Sequence, residues 1–179
     1  PMTVKESYDV VGMPTTWGVP AQRNNYPVKN ALAVDRLLKA GAVLFGTTNV
    51  PIYLADWQTF NEIYGTTNNP WDVTRVPGGS SGGSAALGAS GRVPIAHAND
   101  GAGSIRIPAS WCGLVGLKPS RGRVSSGPGA GEPNFGGAVQ LVVTRTITDT
   151  AAALDAAAGP RPGDPFVIAA PAEAFATLT

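Results

Sequence analysis

The 179-residue chain carries 23 Gly and 16 Pro, together short of the roughly 25–30% that marks a low-complexity segment. Hydrophobic residues make up 43% and charged ones 14%, against about 25% charged in an ordinary soluble domain, so the composition is that of a folded chain made mostly of interior. Thirteen Lys and Arg against twelve Asp and Glu leave a net charge of +1 with no basic run, and Cys112 and His97 are the sole cysteine and histidine. Nucleic-acid binding, an internal disulfide and a structural zinc site are therefore not expected. No apolar run approaches the roughly 18 residues of a membrane span, and a reducing, cytoplasmic compartment is expected. The length suits one domain, and the abrupt ends at Pro1-Met2-Thr3-Val4 and Thr177-Leu178-Thr179 predict a single domain, 1–179, incomplete at both ends.

In chain order, Pro1 to Val4 reads as a short buried strand ending at Lys5, and Val11 to Thr16 as turn-rich. Asn30 is the expected N-cap of a helix that carries Val34, Leu37 and Leu38 and stops at Gly41, after which Ala42 to Phe45 form a strand. A second helix-then-strand unit follows, with small residues at Ser84 to Leu87, a stop at Gly91 and a strand over Val93 to Ala98. Asn99 to Gly103 leaves that strand as a glycine-rich turn. Val124 to Gly137 is expected to be a surface loop, and Thr148 the N-cap of a helix over Asp149 to Ala158 that Gly159 and Pro160 end. The alternation predicts an α/β sheet, with ligand chemistry at its strand ends.

Pro77-Gly78-Gly79-Ser80-Ser81-Gly82-Gly83-Ser84 is the densest chemical signal. A flexible linker is disfavoured by the structured flanks. A Walker cradle needs Gly-Lys, which never occurs, and Gly101-Ala102-Gly103 lacks the third glycine of a dinucleotide fingerprint. The nucleophile-elbow pattern fits twice, but the Ser, acid, His order of that triad fails because residues 82 to 96 contain no Asp or Glu before His97. His97 itself reads as a core histidine. With no histidine available, the base for a serine nucleophile would be a lysine whose pKa burial depresses; Lys5, ending an apolar strand, suits this, but a lone strand lysine is more often a surface residue, and composition does not decide between the two.

These residues resemble the amidase signature family. The resemblance runs through Pro1-Met2-Thr3-Val4-Lys5-Glu6, Asn69-Pro70-Trp71-Asp72, the glycine–serine stretch, Asp100 to Ala109, Gly116-Leu117-Lys118-Pro119 and Arg145-Thr146, and so covers essentially the whole chain. It implies the amidase signature fold, a central mixed β-sheet flanked by helices, of which this chain is the N-terminal to middle core. It further implies an amide hydrolase working through an acyl-enzyme, with Ser104 as nucleophile, Ser80 behind a cis peptide as proton relay, and Lys5 as base. Backbone N–H groups of Gly101, Ala102, Gly103 and Ser104 would receive the oxyanion. No cofactor or metal is implied, the partner is a small-molecule amide rather than nucleic acid or membrane, and a homodimer is left open.

The stretches Ala96 to Asp100 and Lys118 to Val124 look most similar to bacterial amidases of the type that includes cyclic nylon-oligomer hydrolases. The alternatives are a glutamine-hydrolysing amidotransferase subunit or a non-catalytic binding module on the same scaffold. Among the remaining residues, Asp100 and Arg106 are expected to pair and brace the turn, and Cys112 to be a small buried hydrophobe. Trp57, Phe60, Trp71 and Trp111 are expected in the core, and Asn61 and Tyr64 are weaker pocket candidates.

Overall fold

Apolar strand runs separated by helices of small residues can bury themselves only against one another, and the computed structural model, which describes residues 1–127 and 133–179, shows how they do so. Among the described residues seven strands form, in chain order β1 (Met2–Lys5), β2 (Leu44–Thr48), β3 (Phe60–Asn61), β4 (Gly65–Thr66), β5 (Ile95–Asp100), β6 (Val115–Gly116) and β7 (Val139–Thr144). The helices are α1 (Leu32–Lys39), α2 (Gly82–Ala89), α3 (Arg106–Cys112) and α4 (Ile147–Ala157). The main sheet has the order β2-β1-β5-β7-β6. Strand β1 runs parallel to β2 and β5, with Lys5 opposite Thr48 and Thr3 opposite Ala96, whereas β7 runs antiparallel to β5 and β6. The α/β reading thus holds, as a mixed sheet flanked by helices.

The central strands have neighbours on both edges and are buried along nearly their whole length: Met2, Val4, Ala96, Ala98, Leu141 and Val143 join Val34 and Leu37 of α1 and Leu154 of α4 in one core, while polar Thr3, Lys5, His97, Asp100 and Gln140 are buried on the same strands. Helix α2 packs on β1, β5 and β7, where Gly82, Gly83, Ser84 and Ala85 are buried. Its poor intrinsic propensity is offset by that close approach. Gly83 is needed there because an added Cβ would stand 2.6 Å from both the backbone N and O of Asn49. Thr48 and Ser84 hydroxyls hydrogen-bond at 2.7 Å, and Ser84 Oγ donates to the His97 carbonyl at 2.7 Å, so β2, α2 and β5 are fixed in register behind the glycine–serine stretch.

Several boundaries differ from the sequence reading. Asn30 does not cap α1: the N-cap is Ala31, and the Asn30 side chain instead accepts from Val11 N–H and donates to Asp35. Helix α4 is capped by Thr146 rather than Thr148, because Thr146 Oγ1 accepts from Asp149 N–H at 3.0 Å and donates to the Asp149 carboxylate. The second strand begins two residues late and runs on to Thr48. Helix α3 forms where the sequence reading places no helix; it contains Pro108, but proline in a first turn removes only an N–H that would have no partner anyway. The expected surface loop over Val124 to Gly137 is only partly one: Val124, Ser125 and Gly127 are buried, and residues 128–132 lie outside the described residues. No helix among the described residues is long and apolar enough to cross a membrane.

Candidate active site

Parallel strands β1 and β5 end side by side, and their final residues, Lys5 and Asn99-Asp100, meet the glycine–serine stretch that leads into α2. Lys5 is wholly buried, and its Nζ donates to Ser80 Oγ at 2.7 Å and to Asn99 Oδ1 at 2.5 Å. Burial holds its pKa well below the ordinary lysine value, against the opposing pull of the Asp100 carboxylate. The peptide bond between Gly79 and Ser80 is cis. Gly79 is itself pressed on by the backbone of Asp56 and Trp57, where an added Cβ would lie 2.6 Å from the Asp56 carbonyl oxygen.

Ser104 follows the turn after β5. Asp100 organises that turn: Gly103 N–H donates to its Oδ1 at 2.8 Å, Ile105 N–H to its Oδ2 at 3.2 Å, and Arg106 grips both oxygens from Nε and a terminal nitrogen at 2.9 and 3.0 Å. Burial would push the Asp100 carboxyl up, but the Arg106 guanidinium and the N–H donors outweigh it and hold the carboxyl below its usual range. The expected brace between Asp100 and Arg106 is therefore present.

A cavity of about 450 Å³ opens over these elements, and Ser80, Asn99, Gly101, Ala102 and Ser104 all reach it. Of the expected oxyanion donors, Gly101 and Ala102 line the cavity, whereas Gly103 does not and its N–H donates to Asp100. Its role is conformational: φ is +108°, and a Cβ would stand 2.5 Å from Ile107 Cδ1. Ala102 keeps a φ outside the left-handed region. Ser104 is 8% exposed, and among the described residues its hydroxyl has no hydrogen-bond partner. The structure thus joins Lys5 to Ser80 directly and sets Ser104 on the same cavity without a direct bond between the two serines.

Another part of the lining was not visible in the sequence. It is made by Trp17, Tyr53, Leu54, Asp56 and Trp57. Trp17, Tyr53 and Leu54 have φ of 54°, 54° and 61°, left-handed values that no periodicity announces. The expectation that Trp57, Phe60, Trp71 and Trp111 form core is corrected, since they are 56%, 45%, 71% and 46% exposed and Trp57 lines the cavity. Asn61 and Tyr64 do not line it. The Asn61 amide bonds Asn49 and the Val50 carbonyl, and the Tyr64 hydroxyl donates to Glu6.

His97 lies in the core with Tyr8 edge-on at 4.4 Å. The Gln140 amide nitrogen donates to the Ser125 carbonyl, which leaves Oε1 to accept, so Nε2 of His97 carries the proton and Nδ1 is without a partner among the described residues. The Cys112 thiol is buried, donates to the Pro77 carbonyl and is pushed up to about 11 by burial, which makes it inert at neutral pH.

Comparison with known proteins bears on this arrangement. The family model described as Amidase matches residues 1–177, and the chain belongs to that family, the amidase signature enzymes. It is 44% identical over 168 residues to an acylamidase of Rhodococcus erythropolis, covering 94% of this chain and 35% of that protein. It is 45% identical over 161 residues to a glutamyl-tRNA(Gln) amidotransferase subunit of Lactiplantibacillus plantarum, covering 89% of this chain and 32% of that one. Among solved structures, a 6-aminohexanoate cyclic dimer hydrolase complexed with substrate superposes with a TM-score of 0.90 at 40% identity, over 98% of this chain and 38% of the other. The chain thus spans about a third of the length of the relatives it matches.

Proposed function

We propose that the chain carries the catalytic centre of an amide hydrolase that works through an acyl-enzyme on Ser104. The observation that supports this best is the wholly buried Lys5 amine, 2.7 Å from Ser80 Oγ at the floor of a cavity that Ser104 shares. A neutral amine is a base, and burial makes neutrality accessible near physiological pH. Lys5 takes the proton of Ser80 as Ser80 takes that of Ser104, and the Ser104 oxygen adds to the amide carbonyl. The N–H groups of Gly101 and Ala102 receive the oxyanion, and the relay then returns the proton to the leaving nitrogen as the C–N bond breaks. Water adds to the ester by the same route, releasing the acid and restoring Ser104. Asn99 holds the Lys5 nitrogen on the relay hydroxyl.

The described lining suits an uncharged carboxamide, since Asp56 is the one charged residue on it among the described residues. The test is intact mass after treatment with a small alkyl fluorophosphonate. A single adduct is expected in the wild type, none in Ser104→Ala, and labelling slower by roughly a hundredfold or more in Lys5→Ala. A folded protein that takes up no adduct would leave the binding-module reading in its place.

A further inference from the structure

Glu6 follows the candidate base in sequence, is 2% exposed, and has no cation partner among the described residues. The proposed proton relay does not use it. Its Oε1 accepts Thr16 N–H at 2.8 Å and the Tyr64 hydroxyl at 3.1 Å, while Oε2 is buried without a partner. Thr16 continues the tie, because its Oγ1 accepts Gly18 N–H at 3.1 Å and its carbonyl accepts Val19 N–H at 3.0 Å. Between Thr16 and Gly18 stands Trp17, left-handed at φ 54°, with its carbonyl accepting Tyr53 N–H at 2.9 Å. Such a conformation in a tryptophan persists only where surrounding contacts impose it.

We infer that Glu6 is the residue that sets the substrate wall: its carboxylate anchors the 15–18 loop, and through it Trp17 and Tyr53, to the strand that carries Lys5. The wall then selects amides whose acyl part is bulky and apolar, since two indoles, a phenol and a leucine line the same cavity of about 450 Å³ as the two serines. Glu6 acts through Trp17 and touches no reacting atom. This rests on the amide-hydrolase reading of the cavity. The position of Glu6 makes the inference specific, because the base and the wall share one strand end, with Glu6 N–H bonded to the Thr48 carbonyl at 3.1 Å.

The test compares two p-nitroanilides, acetyl and 4-phenylbutyryl, in the wild type, Glu6→Gln, Glu6→Ala, Tyr64→Phe and Trp17→Ala, beside the rate of Ser104 labelling by a small alkyl fluorophosphonate. Glu6→Ala and Trp17→Ala are each expected to raise KM for the phenylbutyryl substrate roughly tenfold, with kcat, the acetyl substrate and labelling changed less than about twofold, the signature of lost uniform binding. Combining the two should add little, because both remove the same wall. Glu6→Gln, whose amide oxygen still accepts both bonds, should behave as the wild type, and Tyr64→Phe should give a smaller shift in the same direction.

Parallel losses on both substrates, or full additivity with Trp17→Ala, would overturn the inference. If Glu6→Ala does not fold, equal effects on the two substrates in Tyr64→Phe would overturn it as well. A wild type that neither labels nor hydrolyses sinks the catalytic reading instead. Calorimetric binding of 4-phenylbutyramide then decides about the wall: tighter binding to wild type than to Tyr64→Phe supports it, and equal affinity overturns it.

Discussion

Lys5 Nζ and Asn99 Oδ1 lie 2.5 Å apart, from the ends of two adjacent parallel strands, so the candidate base is held by the strand that leads into the nucleophile turn. Asn99 presents a neutral acceptor, and that choice matters in a buried site. The groups facing Lys5 are Ser80, the Asp100 carboxylate, which favours the charged amine, and His97, which is neutral. A second carboxylate in place of the amide would favour the ammonium form further and take away the base at neutral pH.

The first prediction is therefore a pH profile. Labelling of Ser104 should rise with pH as Lys5 loses its proton, with a midpoint below the ordinary lysine value because burial disfavours the charged form. Asn99→Asp should move that limb upward by about 1 unit or more. Asn99→Leu should lower the plateau without moving the limb up. An Asp variant whose limb stays in place would show that Asn99 only fills space.

The second prediction concerns Gly83. Replacing a helical glycine by alanine ordinarily stabilises by about 0.5–1 kcal/mol. At Gly83 the new Cβ would meet Asn49 backbone atoms at 2.6 Å, so Gly83→Ala should destabilise by about 1–3 kcal/mol and slow labelling of Ser104. Gly88→Ala in the same helix meets the Leu114 Cδ1 at 3.3 Å, a flexible tip, and should change stability by less than about 1 kcal/mol. Thermal melts of the two variants check the contrast, and equal behaviour would mean that α2 can slide away from Asn49.

The sequence shows clearly those parts of the site that are written in consecutive residues. Lys5 at the end of an apolar run, the glycine–serine stretch and the Asp100 to Arg106 turn each lie within one short segment whose composition restricts its geometry. The wall is different, because Trp17, Tyr53 and Leu54 take left-handed backbone, and the loop around Trp17 is tied to Glu6 and to Tyr53 N–H from separate segments. Local pattern carries no trace of such ties. The exposed tryptophans misled for a related reason: hydrophobicity announces burial, but Trp57 is apolar because it faces a cavity. Thr146 and Thr148 are equally good caps by residue type, and only the Thr146 to Asp149 spacing, closed by two hydrogen bonds, separates them.

The last prediction follows from His97. Burial lowers its pKa to about 4, a shift that the Gln140 bond opposes and the Lys5 charge reinforces, whereas in the unfolded chain it titrates near 6.5. Between those values the unfolded state binds a proton that the folded state refuses, so stability falls as pH drops from about 6.5 toward 4 and levels below. The loss amounts to about 3 kcal/mol at the full shift of this one group. Urea unfolding at pH 7 and pH 4.5 measures it. A variant without the imidazole, His97→Gln, should lose less stability than the wild type over that interval, even if it starts lower for want of packing against Tyr8. An identical pH slope in both proteins would mean that His97 finds a proton partner in the folded core, most directly at its unpaired Nδ1.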